Sequence, residues 1–270
     1  PVCAGRLAAG QSPERRYPMR RTLVVTLGLA LGSAACTEDP TAPVESEPVD
    51  IQAGYYEAPP PMYRITITNL TSGQPLTPPV AALHGRRVRL FRLGHPASFG
   101  VKEIAENGNV GPLLEHLSET LRPFEVPIGP GPETVPGPIM AGETVEFEVE
   151  GTRGARSFSW VSMLICTNDG FTGVNRRRLP RHVGQRVRAY TWGYDAGTEL
   201  NTEAWPDLVP PCGPLTGFDS MGQGTGMSNP DLAEGGVVRL HRGIAGDADL
   251  DRHVHGWRGP IAKLVIERIG

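Results

Sequence analysis

The sequence predicts a mainly β protein, an antiparallel β-sandwich with one or two short covering helices and long loops. Two observations point there. Seven strand-like runs, at residues 63–69, 88–93, 144–150, 157–165, 186–191, 237–241 and 263–269, are separated by Gly- and Pro-rich stretches in a chain that holds 34 Gly and 27 Pro. Helical patterning is confined to the interval between the second and third runs, and no tandem repeat is visible.

Taken in order, the run at 157–165 is rich in aromatic and branched residues, and in the run that starts at Arg186 the residues Val187, Ala189 and Thr191 alternate with longer side chains. The first helical candidate, 98–106, has Ser98 or Ala97 near its cap. The second, 109–121, puts Val110, Leu113, Leu114 and Leu117 on one face, and Pro112 suits a first helical turn. Both are expected to cover one end or edge of the sheets. Residues 202–234 carry many Pro and Gly with little periodicity and read as loop. Within them the run Gly222-Gln-Gly-Thr-Gly226 neither follows a strong strand nor opens a helix, so a turn is expected there and not a phosphate cradle.

The ends read differently from the middle. Residues 19–36 have a basic start, a short apolar stretch and small residues before Cys36, the pattern of a secretion signal with a bacterial lipoprotein cleavage box. Residues 1–18 precede a better initiator, Met19, and are set aside from fold reasoning as an upstream segment. Residues 37–62 are dominated by Pro, acidic residues, Ala and Thr, a composition unable to bury a core, and read as a tether. Residues 63–270 then form one domain with a sizeable core. The expected location is the cell envelope after export across the inner membrane, outer membrane or cell surface, with membrane contact only through lipid on Cys36. Thr37 after Cys36 leans toward the outer membrane by lipoprotein resemblance. In an oxidising compartment Cys166 and Cys212 favour a disulfide over two separate buried thiols. A net charge of −3 gives no electrostatic reason to expect nucleic acid.

Two segments point to chemistry. Cys166-Thr-Asn-Asp169-Gly-Phe-Thr-Gly173 and Tyr194-Asp195-Ala-Gly-Thr-Glu199 each follow a strand-like run and place three carboxylates in loops at one sheet end. Clustered carboxylates repel unless a cation neutralises them, and oxygens on Gly-containing loops suit calcium. The alternative is that both are ordinary turns, which Asn, Asp and Gly favour.

The order of Tyr63-Arg-Ile-Thr-Ile-Thr-Asn-Leu70, Ala97-Ser-Phe-Gly-Val-Lys-Glu-Ile-Ala-Glu-Asn-Gly108, the two acidic loops and Val254-His-Gly-Trp257 resembles the spondin N-terminal domain in its bacterial form, over about residues 63–269. That resemblance implies a calcium-binding antiparallel β-sandwich for adhesion. Carried over by position, it makes Asp169, Asp195 and Glu199 the calcium ligands. The chain departs from the animal pattern in two places: the first loop lacks a Pro and a Trp, and Glu199 stands where Asp is usual.

Other constellations in the sequence point less far. Asp247-Ala-Asp249-Leu-Asp251 starts like an EF-hand loop, but Arg252 and Arg258 occupy the Gly and Glu positions, which excludes it. His253 and His255, with Asp249 or Asp251, could hold zinc if they shared a strand face; otherwise they are hydrogen-bonded loop histidines. No Gly-x-Ser-x-Gly, His-Glu-x-x-His or Ser-x-x-Lys motif supports a hydrolase. Asn69-Leu-Thr71 is a glycosylation sequon in form only. The basic stretch 175–182 reads as a solvated hairpin tip, with contact to anionic polysaccharide or lipid headgroups as its functional alternative. The expected function is calcium-dependent adhesion or binding of a protein or polysaccharide ligand at the envelope. An envelope hydrolase using a metal or histidine site is the alternative.

Overall fold

A computed structural model of the chain describes residues 58–122, 125–218 and 224–270. The signal, Cys36 and residues 37–57 of the tether lie outside the described residues, as does Gly222. Among the described residues no helix is long and apolar enough to cross a membrane.

The domain is mainly β and antiparallel, as the sequence predicts. Strand β1 (Met62–Asn69) alternates half-buried and buried positions without a break, so one face is core and the other meets solvent. It pairs with β4 (Thr144–Glu150) on one side and β9 (Ala262–Arg268) on the other. Next comes β7 (Arg186–Asp195), which pairs with β9 through Thr191 and then, from Trp192 onward, with β6 (Gly170–Arg178). Beyond β6 lie β5 (Ser157–Met163), β2 (Val80–His84) and β3 (Val126–Ile128), while β8 (Arg239–Leu240) pairs with the end of β7. Because β7 changes partners midway, one continuous sheet curls into two facing layers. Thr172 Oγ1 donates to Thr191 Oγ1 at 2.8 Å at the changeover.

The core between the layers takes Ile65, Ile67, Phe147, Leu264 and Ile266 from one side and Leu83, Phe158 and Trp160 from the other. Each large side chain buried there stabilises the fold by about 2–3 kcal/mol. A second core lies on the outer face of the β2–β5–β6 layer, where Val80, Ala82, Val161, Met163 and Phe171 meet Val101, Ile104, Leu113 and Leu117. Those last four come from the two predicted helices, α1 (Phe99–Asn107) and α2 (Gly111–Thr120). Ser98 caps α1 by accepting from the Val101 amide, Gly108 ends it in the left-handed region, and Pro112 sits in the first turn of α2. A short third helix, α3 (Cys212–Thr216), lies in the long loop.

Three expectations change. Residues 88–93 are not a strand: Phe91 packs edge-on against Phe171, and the Asn175 side chain bonds the Leu90 amide and the Phe91 carbonyl in place of a neighbouring strand. The strand in this region is β2, whose five residues are all buried because cores lie on both of its faces, so it shows no polar alternation. Residues 170–178 form β6, so half of the basic stretch 175–182 belongs to a strand and only the other half to the hairpin.

Candidate functional site

Asp169 and Asp195 end up side by side because of sheet register. Gly170 of β6 pairs with Asp195 of β7, so the residue before β6 and the last residue of β7 share one end of the layer. The first loop is tight: Thr167 Oγ1 accepts from the Gly170 amide and donates to the Leu164 carbonyl, and a Cβ on Gly170 would lie 2.3 Å from that oxygen. In the second loop Asp195 Oδ1 accepts from the Gly197 amide at 2.8 Å. Gly197 has φ 70°, and any Cβ there would meet the Val237 backbone at 2.5 Å.

Asp169 is fully buried. Its Oδ2 accepts from the amides of Thr198 and Glu199 at 2.8 and 3.1 Å, whereas its Oδ1 is buried with no hydrogen-bond partner. Burial first, and then the negative charge of Asp195, push its carboxyl up to about 6. The third carboxylate is that of Glu234. One oxygen from each of Asp169, Asp195 and Glu234 lies within 4.8 Å of the others. Arg239 of β8 faces this group, with a guanidinium nitrogen 3.1 Å from Asp195 Oδ2 and 2.8 Å from Glu234. One guanidinium against three carboxylates leaves the group short of positive charge. Three carboxylates that bring an oxygen each this close, one of them with a second oxygen left without a partner, form a donor set suited to a hard divalent cation.

Asp195 is also oriented from behind. Asn201 Nδ2 donates to its Oδ2 at 2.9 Å, and Asn201 Oδ1 lies 3.2 Å from His241 Nε2. Because the Gly243 amide donates to His241 Nδ1, the neutral ring carries its proton on Nε2 and donates to Asn201. Burial lowers this imidazole to about 4, so it stays neutral at physiological pH. Trp257 of the Val-His-Gly-Trp stretch packs on the His241 ring at 5.1 Å and closes over Gly193 of β7.

Glu199 is placed differently from the other two expected ligands. Its backbone holds Asp169, but its carboxylate turns away and accepts from the Asn229 amide at 3.1 Å. There it lines a cavity of about 240 Å³ with Glu106 and Asp207. Burial, followed by the charges of Glu106, Asp169 and Asp207, raises it to about 7 against the pull of the Asn229 amide. Nothing local marks Glu234 and Arg239 as site residues: they lie 35 and 40 positions after Glu199, one at the end of a stretch with little periodicity and the other within a run that reads only as a strand.

Cys166 and Cys212 are disulfide-bonded, with Cα atoms 5.1 Å apart. The bridge ties the Asp169 loop to α3. Gln74 clamps the same loop, accepting from the Cys166 amide at 2.6 Å and donating to the carbonyls of Cys166 and His255. His255 is buried beside the bridge, with Nδ1 engaged by the Asp251 backbone and Nε2 by Thr216. It does not join His253, which is exposed, and the two lie in turns and not on a strand. Asn69 is buried and makes four hydrogen bonds, which closes the sequon in the folded protein. No protein-family model matches the chain, and no curated protein matches it in sequence.

Proposed function

We propose that the domain is a spondin-like, calcium-binding module that serves adhesion or ligand binding at the bacterial cell envelope, exported by the signal at 19–36 and anchored through lipid on Cys36. The observation that carries the metal reading is the gathering of one oxygen each from Asp169, Asp195 and Glu234 within 4.8 Å of one another, in a group where buried Asp169 keeps an oxygen, Oδ1, without a hydrogen-bond partner. A cation there would neutralise the mutual repulsion of Asp169 and Asp195 and pin the β6 and β7 loops to the 234–239 segment. Calcium is then structural, and ligands meet the loops it orders. The hydrolase alternative draws no support from His255, whose two ring nitrogens are both occupied.

The test is thermal unfolding of the full chain in calcium and in chelator. A calcium concentration about a hundredfold above Kd stabilises by about 2.7 kcal/mol, which is a rise in Tm of about 5–10 °C at this size. Asp169→Asn and Asp195→Asn are expected to abolish the rise. Glu234→Gln against Glu199→Gln identifies the third ligand. Equal melting with and without calcium in the parent chain would overturn the proposal.

A further inference from the structure

At the opposite end of the sandwich from the acidic loops lies a cleft of about 1130 Å³. It is walled by the chain entering β1, the β4–β5 connection, the end of β6 with the hairpin that follows, and the end of β9. Among the described residues, every ionisable side chain that lines it, apart from Tyr63, is an arginine. Arg153 and Arg268 are pinned to backbone: Arg153 donates to the Ala58 carbonyl at 2.8 Å, and Arg268 to Gly270 at 2.8 Å and to Arg181. The other five, Arg86, Arg156, Arg176, Arg178 and Arg181, have no ion pair with a side-chain carboxylate among the described residues. Elsewhere Arg64, Arg186 and Arg239 are each matched to glutamate. Other arginines without a carboxylate partner, such as Arg87, Arg92 and Arg242, lie outside the cleft; what sets these five apart is that one concave surface gathers them.

The backbone is bent to present them. Between Phe158 and Trp160 the β5–β6 register slips, so Ser159 faces two residues of β6, and Arg176 at this bulge has φ 56°. Ser159 Oγ holds the strained unit by accepting from the Arg176 amide at 2.7 Å. A left-handed conformation costs a non-glycine residue about 1–2 kcal/mol, and bulges of this kind re-aim side chains.

We propose that this cleft binds an acidic polysaccharide. Guanidinium groups are planar forks that match carboxylate and sulfate in pairs, and none of the lining cations is a lysine. The volume exceeds the roughly 300–1,000 Å³ typical of a single small ligand and suits several linked units. Among the described residues the lining offers only Tyr63 as an aromatic, and that ring is buried, so they present no platform for stacking bases. Its described residues offer no large exposed apolar wedge for a bilayer, and its concavity withdraws the arginines from a flat headgroup plane. A flexible sugar polymer, polar on all sides and charged at intervals, is the occupant that remains. The inference does not rest on the calcium reading, because the two sites lie at opposite ends of β6 and β7.

The test is binding of the full chain, in chelator, to fluorescent polygalacturonate oligosaccharides and to dextran sulfate, with neutral dextran of equal length beside them. Binding to at least one charged polymer is expected, with Arg176→Gln plus Arg178→Gln weakening it at least about tenfold and salt weakening it steeply. Arg86→Gln plus Arg181→Gln, both on the exposed rim, is expected to do the same at unchanged Tm. Replacement of all four by Lys should recover part of the affinity. Equal binding of neutral dextran would overturn the proposal. So would tighter binding of phosphatidylglycerol vesicles or single-stranded DNA with the same arginine dependence. Binding that needs calcium and is lost in Asp195→Asn but not in the arginine variants would move the ligand to the acidic loops and equally overturn it.

Discussion

Asp169 carries the sharpest consequence of a single buried group. In metal-free protein the folded state keeps a proton on Asp169 up to about pH 6, whereas the unfolded chain releases it near the ordinary carboxyl value of 3.8. Because the folded state binds more protons than the unfolded state across that window, this group's contribution to stability falls as pH rises from about 4 to about 7. In chelator, Asp169→Asn is therefore expected to gain on the parent by on the order of 2–3 kcal/mol between about pH 4 and about pH 7.5, read from urea midpoints. Saturating calcium should reverse the order at neutral pH, since only the parent binds it. A difference that stays constant with pH would mean that Asp169 is already ionised at low pH. Arg239 acts in the same place: Arg239→Gln removes the cation that competes for Asp195 and Glu234, and calorimetry is expected to show tighter calcium binding with lower metal-free stability.

Among the elements, the two loops differ from an ordinary hairpin in how little their glycines can change. Gly197→Ala would put a methyl 2.5 Å from the Val237 amide nitrogen at φ 70°, and a loss of more than about 2 kcal/mol is expected together with the calcium response. Gly184, in the β6–β7 hairpin, has φ 80° but no atom within 4 Å of a Cβ. Gly184→Ala should cost only about 1 kcal/mol and leave calcium binding intact. The Cys166–Cys212 bridge closes a separation of 46 residues, for which the chain-entropy ceiling is about 4 kcal/mol. Its removal by Cys212→Ser with Cys166→Ser is expected to lower denaturant midpoints and to weaken calcium binding, because the bridge anchors the Asp169 loop.

Over the whole molecule, charge is sorted along the strands. β6 begins beside Asp169 and ends at Arg178, and β7 runs from Arg186 to Asp195, so strands about 30 Å long separate an acidic end from a basic one. Across the outer face of the first layer, Glu148, Arg64, Glu267 and Arg186 alternate in sign over four neighbouring strands, with nearest approaches of 2.9, 3.9 and 3.0 Å. Those charges are matched to one another, whereas no cleft arginine has a carboxylate partner among the described residues. Two cores flank the β2–β5 pair, so hydrogen exchange should be slowest there and fastest in the 225–250 loop, which has little regular pairing.

Local pattern was enough to find β1, β4, β9 and both covering helices, because a single solvent boundary prints an alternating or 3.6-residue period on the chain; β5, buried throughout, is marked instead by its run of aromatic and branched residues. It was also enough to mark Asp169 and Asp195, which sit at strand ends bounded by glycine, and to pair Cys166 with Cys212, the only thiols in the domain. β2 and β6 escaped it: one has cores on both faces, and the other is broken by a bulge that spends Asn175 on residues 85 positions away. The same holds for the site. Glu234 and Arg239 join the acidic pair, Glu199 turns its carboxylate elsewhere, and arginines from four separate segments meet in one cleft. Each is a juxtaposition of residues distant in sequence, set by sheet register and by the curl of β7, and no local spacing encodes it.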